Sequence, residues 1–173
     1  PAAKATRLVE LVHRAIPYPV VLLTHTGKDC TLSLAPKRAH QTEKARWVVD
    51  EVRSTPPIAE GQELLAALPL HAQAATDLRH LYQRWLAAVV AAQAAKVTGR
   101  FRVPQNAAEQ QHLREALEQV SALERELAQL RTKARREKQM NRAVKLNLEI
   151  KEKEETRTQL IGAIYQGKLV DNR

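Results

Sequence analysis

Apolar positions recur at two different periods along the chain, and the changes of period mark out its elements. From Lys4 to Ala15, the residues Leu8, Leu11, Val12 and Ala15 recur at helical spacing, and Pro17 and Pro19 end that helix. Val20 to Leu23 is a short apolar run that begins with two β-branched residues. Gly27, Lys28 and Asp29 form a turn, and Cys30 to Leu34 alternates with Leu32 and Leu34 on one side. This pattern predicts a β-hairpin. A third strand is predicted over Arg46 to Arg53, with Trp47, Val49 and Glu51 on one face and Val48, Asp50 and Val52 on the other, closed by Pro56 and Pro57.

The period then becomes helical. Leu64, Leu65 and Leu68 open a helix that Pro69 interrupts. From Thr76 to Lys96, Leu78, Leu81, Tyr82, Trp85, Leu86, Val89 and Val90 make a broad apolar face with alanine filling most of the rest. Such a segment packs closely against a sheet or another helix, and Trp47, Tyr82 and Trp85 read as core. Gly99 suits a helix C-cap, and Gly99 to Pro104 is a break. From Asn106 to about Ile161 there is neither Gly nor Pro, and strong helix formers dominate. Here Leu113, Ala116, Val120, Leu123, Leu127, Leu130, Ala134, Glu137, Asn141, Val144 and Leu148 form a seam. Leu146, Ile150, Leu160, Ile161 and Ile164 lie on a different face, so the register changes near residues 137–146. One long helix that changes partners and two helices folded back as a hairpin both fit. A single helix would span about 80 Å and need a partner for its stripe, which favours the hairpin. The expected fold class is α+β: a small antiparallel sheet packed by helices over residues 1–104, then a helical coiled-coil arm or helical hairpin over residues 105–173.

Charge adds a class of partner. The net charge of +9 on 173 residues favours anionic partners. Only 3% of the chain is aromatic, which argues against a base-stacking surface and leaves backbone phosphates as the target. The single cysteine, Cys30, has no second thiol for a disulfide or a zinc site, so a reducing, cytoplasmic setting is expected. No apolar run approaches the ~20 residues of a membrane helix, and no membrane partner is expected. Pro1 to Leu11 lacks a signal-peptide hydrophobic region, and the start at Pro1 without methionine leads us to expect further residues upstream.

The most informative chemical feature is a basic stripe. Arg131, Arg135, Lys138, Arg142 and Lys145 are spaced four, three, four and three, which places them on one face of a continuous helix over about 20 Å. Lys133 and Arg136 sit beside it, and Glu137 is the only acid from Arg131 through Lys145. Three readings stand: a solvated flank paired with Glu149, Glu152, Glu154 and Glu155, a phosphate-contacting surface, and a surface for an acidic protein. Lys37, Arg38, Arg100 and Arg102 form a second cationic group that extends the stripe if the fold brings them together.

A restriction-type nuclease would need two acids and a lysine around a divalent metal. Asp29 and Lys37 are candidates, but Ser33, Leu34, Ala35 and Pro36 before Lys37 supply no second carboxylate, and Glu10 could substitute only from the helix, so a degenerate form of that fold is a better alternative than an active nuclease. His13, His25, His40, His71, His80 and His112 show no metal-ligand spacing and read as surface or core residues. No phosphate-cradling glycine loop or nucleophile motif occurs, so no catalytic residue, cofactor or metal is assigned.

Several strings carry a resemblance: Ala5-Thr6-Arg7-Leu8 through Arg14-Ala15-Ile16-Pro17-Tyr18-Pro19, Leu32-Ser33-Leu34-Ala35 leading to Lys37-Arg38, Val97-Thr98-Gly99-Arg100-Phe101, and Glu137-Lys138-Gln139 leading to Val144-Lys145-Leu146-Asn147. Together they resemble the bacterial domain of unknown function 4391 family over most of the chain. That family's members tend to be encoded beside DNA methyltransferases and helicases in restriction-like and phage-defence clusters, and are typically longer at the N-terminus. The resemblance implies a non-catalytic accessory subunit of a DNA-modifying or antiviral assembly, with nucleic acid, chiefly DNA, and a helicase or methyltransferase as partners. The alternative is a scaffold that docks such an enzyme through its helical arm. The family supplies no catalytic residues.

Overall fold

The computed structural model describes residues 2–27, 29–40, 47–58 and 62–166. Helix α1 spans Ala2–Ala15 and closes with a bond from the Ile16 N–H to the Val12 carbonyl, just before Pro17. Strands β1 (Val21–Thr26) and β2 (Asp29–Leu34) pair antiparallel, with Val21 opposite Leu34 and Leu23 opposite Leu32. Gly27, at φ 67°, makes the reversal in a backbone region that other residues rarely adopt.

The expected single strand over Arg46 to Arg53 is two short strands in different sheets. Strand β3 (Lys37–Ala39) follows Pro36 and pairs antiparallel with β4 (Trp47–Val49), placing Val48 opposite Arg38. The chain leaves that ribbon at Asp50 and rejoins β2 as β5 (Arg53–Ser54), giving a three-stranded sheet in the order β1-β2-β5. Thr55 extends this contact: its N–H donates to the Leu32 carbonyl at 2.8 Å and its Oγ1 accepts from the Leu32 N–H at 3.0 Å. The alternation read over this stretch was therefore shared between two partners, β3 and β2. Arg46 lies outside the described residues. Trp47 is not core: it sits opposite Ala39, the pair of the β3–β4 ribbon farthest from Lys37 and Val49, and is half exposed.

Helix α2 (Gln62–Ala66), a single 3-10 turn (Leu70–Ala72) and helix α3 (Leu78–Thr98) follow. Leu86 and Val89 of α3 bury against Leu32 and Leu34, with Ile58, Leu68, Tyr82 and Trp85 packed around them. Ala88 and Ala92 let Leu64 approach closely, with Phe101 and Val103 beside them. Trp85 and Tyr82 are accordingly core-lining, as read from the sequence. Trp85 donates its indole N–H to the Leu68 carbonyl at 2.9 Å. Gly99, at φ 72°, ends α3 as a left-handed cap.

Side chains alternate across β2, so Ser33 faces away from the leucine core, toward α1. His13 of α1 is fully buried there, with Nε2 3.0 Å from Ser33 Oγ. The buried side of α1 is thus built on His13 with Ala5, Val9 and Val12, while Leu8 and Leu11, read as its apolar face, are exposed. On this side the sheet presents Ser33 beside Leu22, and the helix meets it through its polar residue.

The chain falls into two compact units, Pro1–Lys96 with Phe101–Pro104, and Val97–Arg100 with Gln105–Arg173. In the second, Asn106 caps α4 (Ala107–Arg136) by accepting from the Glu109 N–H at 2.8 Å, and Glu109 accepts in turn from the Gln105 N–H. Helix α5 (Met140–Gln166) packs along α4. The ion pairs Arg157–Glu124, Lys153–Glu126 and Arg131–Glu154 fix its direction as antiparallel. Of the two arrangements that fit the sequence, the folded-back pair is the one observed.

The α4 half of the seam holds. Leu113, Ala116, Val120, Leu127 and Leu130 are buried and Leu123 is partly so. Its continuation fails, because Asn141, Val144 and Leu148 point away from α4, and α5 turns Leu146, Ile150, Leu160, Ile161 and Ile164 inward instead. No described helix is long and apolar enough to cross a membrane.

Candidate nucleic-acid interface

The basic stripe sits at the closed end of the helical pair. Helix α4 stops at Arg136 because Glu137 takes an extended conformation (φ −73°, ψ 126°), its N–H still bonded to the Lys133 and Ala134 carbonyls. The Glu137 carboxylate then accepts from the Gln139 N–H at 2.9 Å, and the Gln139 carbonyl accepts from the N–H groups of Arg142 and Ala143 to start α5. A side-chain acceptor competing for backbone N–H groups does here what Gly or Pro does elsewhere. The single helical face expected for the five cations is therefore cut: Arg131 and Arg135 belong to the end of α4, Lys138 to the three-residue link, and Arg142 and Lys145 to the start of α5.

Folding back concentrates the charge. Arg131, Lys133, Arg135, Arg136, Lys138, Arg142 and Lys145 are all exposed. Arg131 pairs with Glu154 at 2.6 Å; the other six make no ion pair among the described residues. Of the expected flank of Glu149, Glu152, Glu154 and Glu155, only Glu154 pairs with a stripe residue among the described residues. Helix dipoles sharpen the picture. Lys133, Arg135 and Arg136 lie in the last turn of α4, where cations are favourable. Arg142 lies in the positive first turn of α5, which holds no acid, so local helix energetics do not account for it; Lys145 follows in the second turn.

The second cationic group is spent on other contacts. The Lys37 ammonium donates to the carbonyls of Ile16 and Tyr18, and burial lowers its pKa. Arg38 Nε donates to Asp50 Oδ1 at 2.7 Å. Arg100 lies over the Tyr165 ring, 5.4 Å from its centroid, and donates to the Tyr165 carbonyl. Tyr165 is 20 residues from Lys145 on the same helix, about 30 Å from the stripe. Arg102 is exposed, with contacts of its own. Arg100 therefore does not extend the basic tip.

The nuclease candidates do not meet either. Asp29 opens β2 beside the turn and Lys37 lies beyond its other end, about 16 Å or more away along the strand. Among the described residues no group of histidine, cysteine and acid side chains could hold a metal ion. Of the histidines, His13 is the buried one; burial and then the charge of Lys37 push its pKa down.

One feature escaped the sequence reading. Met140, Val144 and Leu148 stand 81%, 52% and 57% exposed on the side of α5 turned away from α4, beside Arg142 and Lys145. Their spacing of four was visible, but the seam running into them assigned Val144 and Leu148 to the interior, and Met140 beside Asn141 read as a helix-packing residue, which its exposure corrects.

No curated protein and no solved structure matches the chain. The family described as Domain of unknown function (DUF4391) matches residues 1–156, spanning the sheet, α1 to α4 and the basic tip. The chain belongs to the DUF4391 family.

Proposed function

We propose that this chain is a non-catalytic accessory subunit of a DNA-modifying or antiviral assembly that grips the backbone of duplex DNA through the closed end of its α4–α5 pair. The observation that supports this reading is the set of six cations, Lys133, Arg135, Arg136, Lys138, Arg142 and Lys145, held around one three-residue link without ion-pair partners among the described residues. One of them, Arg142, sits in the positive first turn of α5, where an incoming phosphate relieves an unfavourable arrangement. Phosphate contacts of this kind fix position and carry no base information. Binding should therefore be tight at low salt, indifferent to sequence, and fall with a log–log salt slope of about −0.9 per contacted phosphate. The test is fluorescence anisotropy on labelled duplexes across a salt series, comparing the native chain with the triple variant Arg135→Glu, Lys138→Glu, Arg142→Glu. Loss of binding with retained helicity is expected. Unchanged affinity would overturn the reading.

A second reading has an observation of its own. The exposed row Met140, Val144 and Leu148 suits a protein partner, and the chain would then be a scaffold docking a helicase or methyltransferase through α5. Retention of the partner enzyme at high salt after nuclease treatment, lost on Val144→Asp with Leu148→Asp, distinguishes it from the first.

A further inference from the structure

We propose that β1 is a dimerisation edge, pairing antiparallel with β1 of a second copy to join two three-stranded sheets into one of six strands. In an antiparallel ladder, opposed residues alternate between pairs that bond to each other and pairs whose N–H and C=O groups point outward. Leu32 is opposite Leu23, and the Leu32 backbone bonds on both sides to Thr55, away from β1. The Leu23 backbone therefore points the other way, off the sheet, and Val21 and His25 share its phase. These groups bond to nothing among the described residues. The same phase follows from the turn, where Thr26 and Asp29 flank two residues and form the closing bonded pair.

The side chains agree with the backbone. Leu23 and Val21 are on the leucine face of the sheet, across from Leu32 and Leu34, yet they remain 62% and 45% exposed, whereas Leu32 and Leu34 are covered by Leu86 and Val89. Protected edges carry lysine, proline or a bulge. This one has six residues in regular register with no charged side chain and no proline.

What covers such an edge is a β-strand, and a second copy of β1 can do so in register. Three outward-facing residues centred on Leu23 are self-complementary about a two-fold axis: Leu23 falls opposite its equivalent, and Val21 opposite His25. The chain carries +9 overall, so two copies approach best where neither presents charge, and β1 is such a place.

Sedimentation equilibrium on the full chain tests this. The native chain should have twice the 19.5 kDa chain mass, and Leu23→Lys should return it to 19.5 kDa with its circular dichroism spectrum unchanged and a melting temperature lowered only by the loss of the partner. A native monomer at micromolar concentration, as would follow if a strand from another protein covers the edge, overturns the proposal, and so does a dimer that Leu23→Lys leaves intact. If the lysine variant misfolds, cysteine variants in a Cys30→Ser background decide. Mild oxidation should link Leu23→Cys chains into a disulfide dimer and leave His25→Cys chains unlinked, because only position 23 meets itself across the axis. The reverse pattern, or no cross-link at position 23, overturns the pairing.

Discussion

Arg131 Nη2 lies 2.6 Å from Glu154 Oε1, bridging α4 and α5 one turn before the basic tip begins. This pair divides the cationic stretch into a part that holds the two helices in register and a part left for a ligand. Both side chains are about half exposed, so the bridge contributes little stability, under about 1 kcal/mol. Arg131→Ala should shift the urea midpoint slightly and leave DNA affinity nearly intact. Arg135→Ala or Arg142→Ala should do the opposite, weakening binding equally on unrelated sequences with no change in the midpoint. Titration of two duplexes of different sequence, with a urea melt of each variant, checks both halves.

The helical pair gives a sharper stability contrast. Leu127 is buried to 1% exposure, while Leu123, four residues earlier on the same seam, is only partly covered. Leu127→Ala should cost about 2–5 kcal/mol through lost transfer energy and a residual cavity. Leu123→Ala should cost clearly less, and Val144→Ala almost nothing in the free chain, since Val144 faces away from α4. Chemical denaturation of the three variants ranks them, and a Val144 variant as damaging as Leu127→Ala would contradict the assignment of the α5 faces.

Elements dominated by local signals were legible in the sequence. Pro17 and Pro19 end α1, Gly27 turns the hairpin, Gly99 caps α3, and the Gly- and Pro-free stretch is helical on both sides of its break. What escaped depended on partners distant in the chain. Trp47 to Arg53 alternates like one strand, yet β3 claims its first half and β2 its second, which no periodicity reveals. The stripe of five cations was readable as charge but not as geometry, because the Glu137 side chain, rather than a glycine, turns the chain at Gln139. Leu8 and Leu11 looked like the buried side of α1 because nothing local indicates that the sheet beneath presents Ser33 to His13.

Tyr82 ties α3 to the end of β2, and its hydroxyl has a measurable part in that. The phenolic oxygen accepts from the Ala35 N–H at 2.8 Å and lies 3.1 and 3.0 Å from the carbonyls of Val20 and Ala35. Ala35 is fully buried, so its N–H has no access to solvent if the hydroxyl is removed. Burial also raises the Tyr82 pKa, which keeps the hydroxyl protonated. Tyr82→Phe should cost about 1–3 kcal/mol, the penalty for a buried polar group left without a partner. The packing of its ring against Leu32 and Leu34 should survive, so near-ultraviolet circular dichroism should show an intact tertiary environment together with a lower melting temperature.

His13 makes the stability of the sheet domain depend on pH, and the sign follows from its surroundings. The ring is fully buried between α1 and β2, with Nε2 on Ser33 Oγ, and Nδ1 has no partner. Burial, and then the positive charge of Lys37, hold its pKa below the ordinary imidazole value. In the unfolded chain the ring titrates at about 6.5. Below that pH the unfolded state binds a proton that the folded state refuses, and stability falls until the folded ring titrates as well. Above it both forms are neutral and this contribution is flat. The melting temperature should therefore decline as pH drops from neutral through the range below about 6.5, beyond what the carboxylates impose at lower pH. His13→Gln keeps a polar group near Ser33 but cannot ionise, so it should remove that decline while leaving the sheet in place. Equal pH slopes for the native chain and His13→Gln between neutral pH and the carboxylate range would show that His13 is not the titrating group.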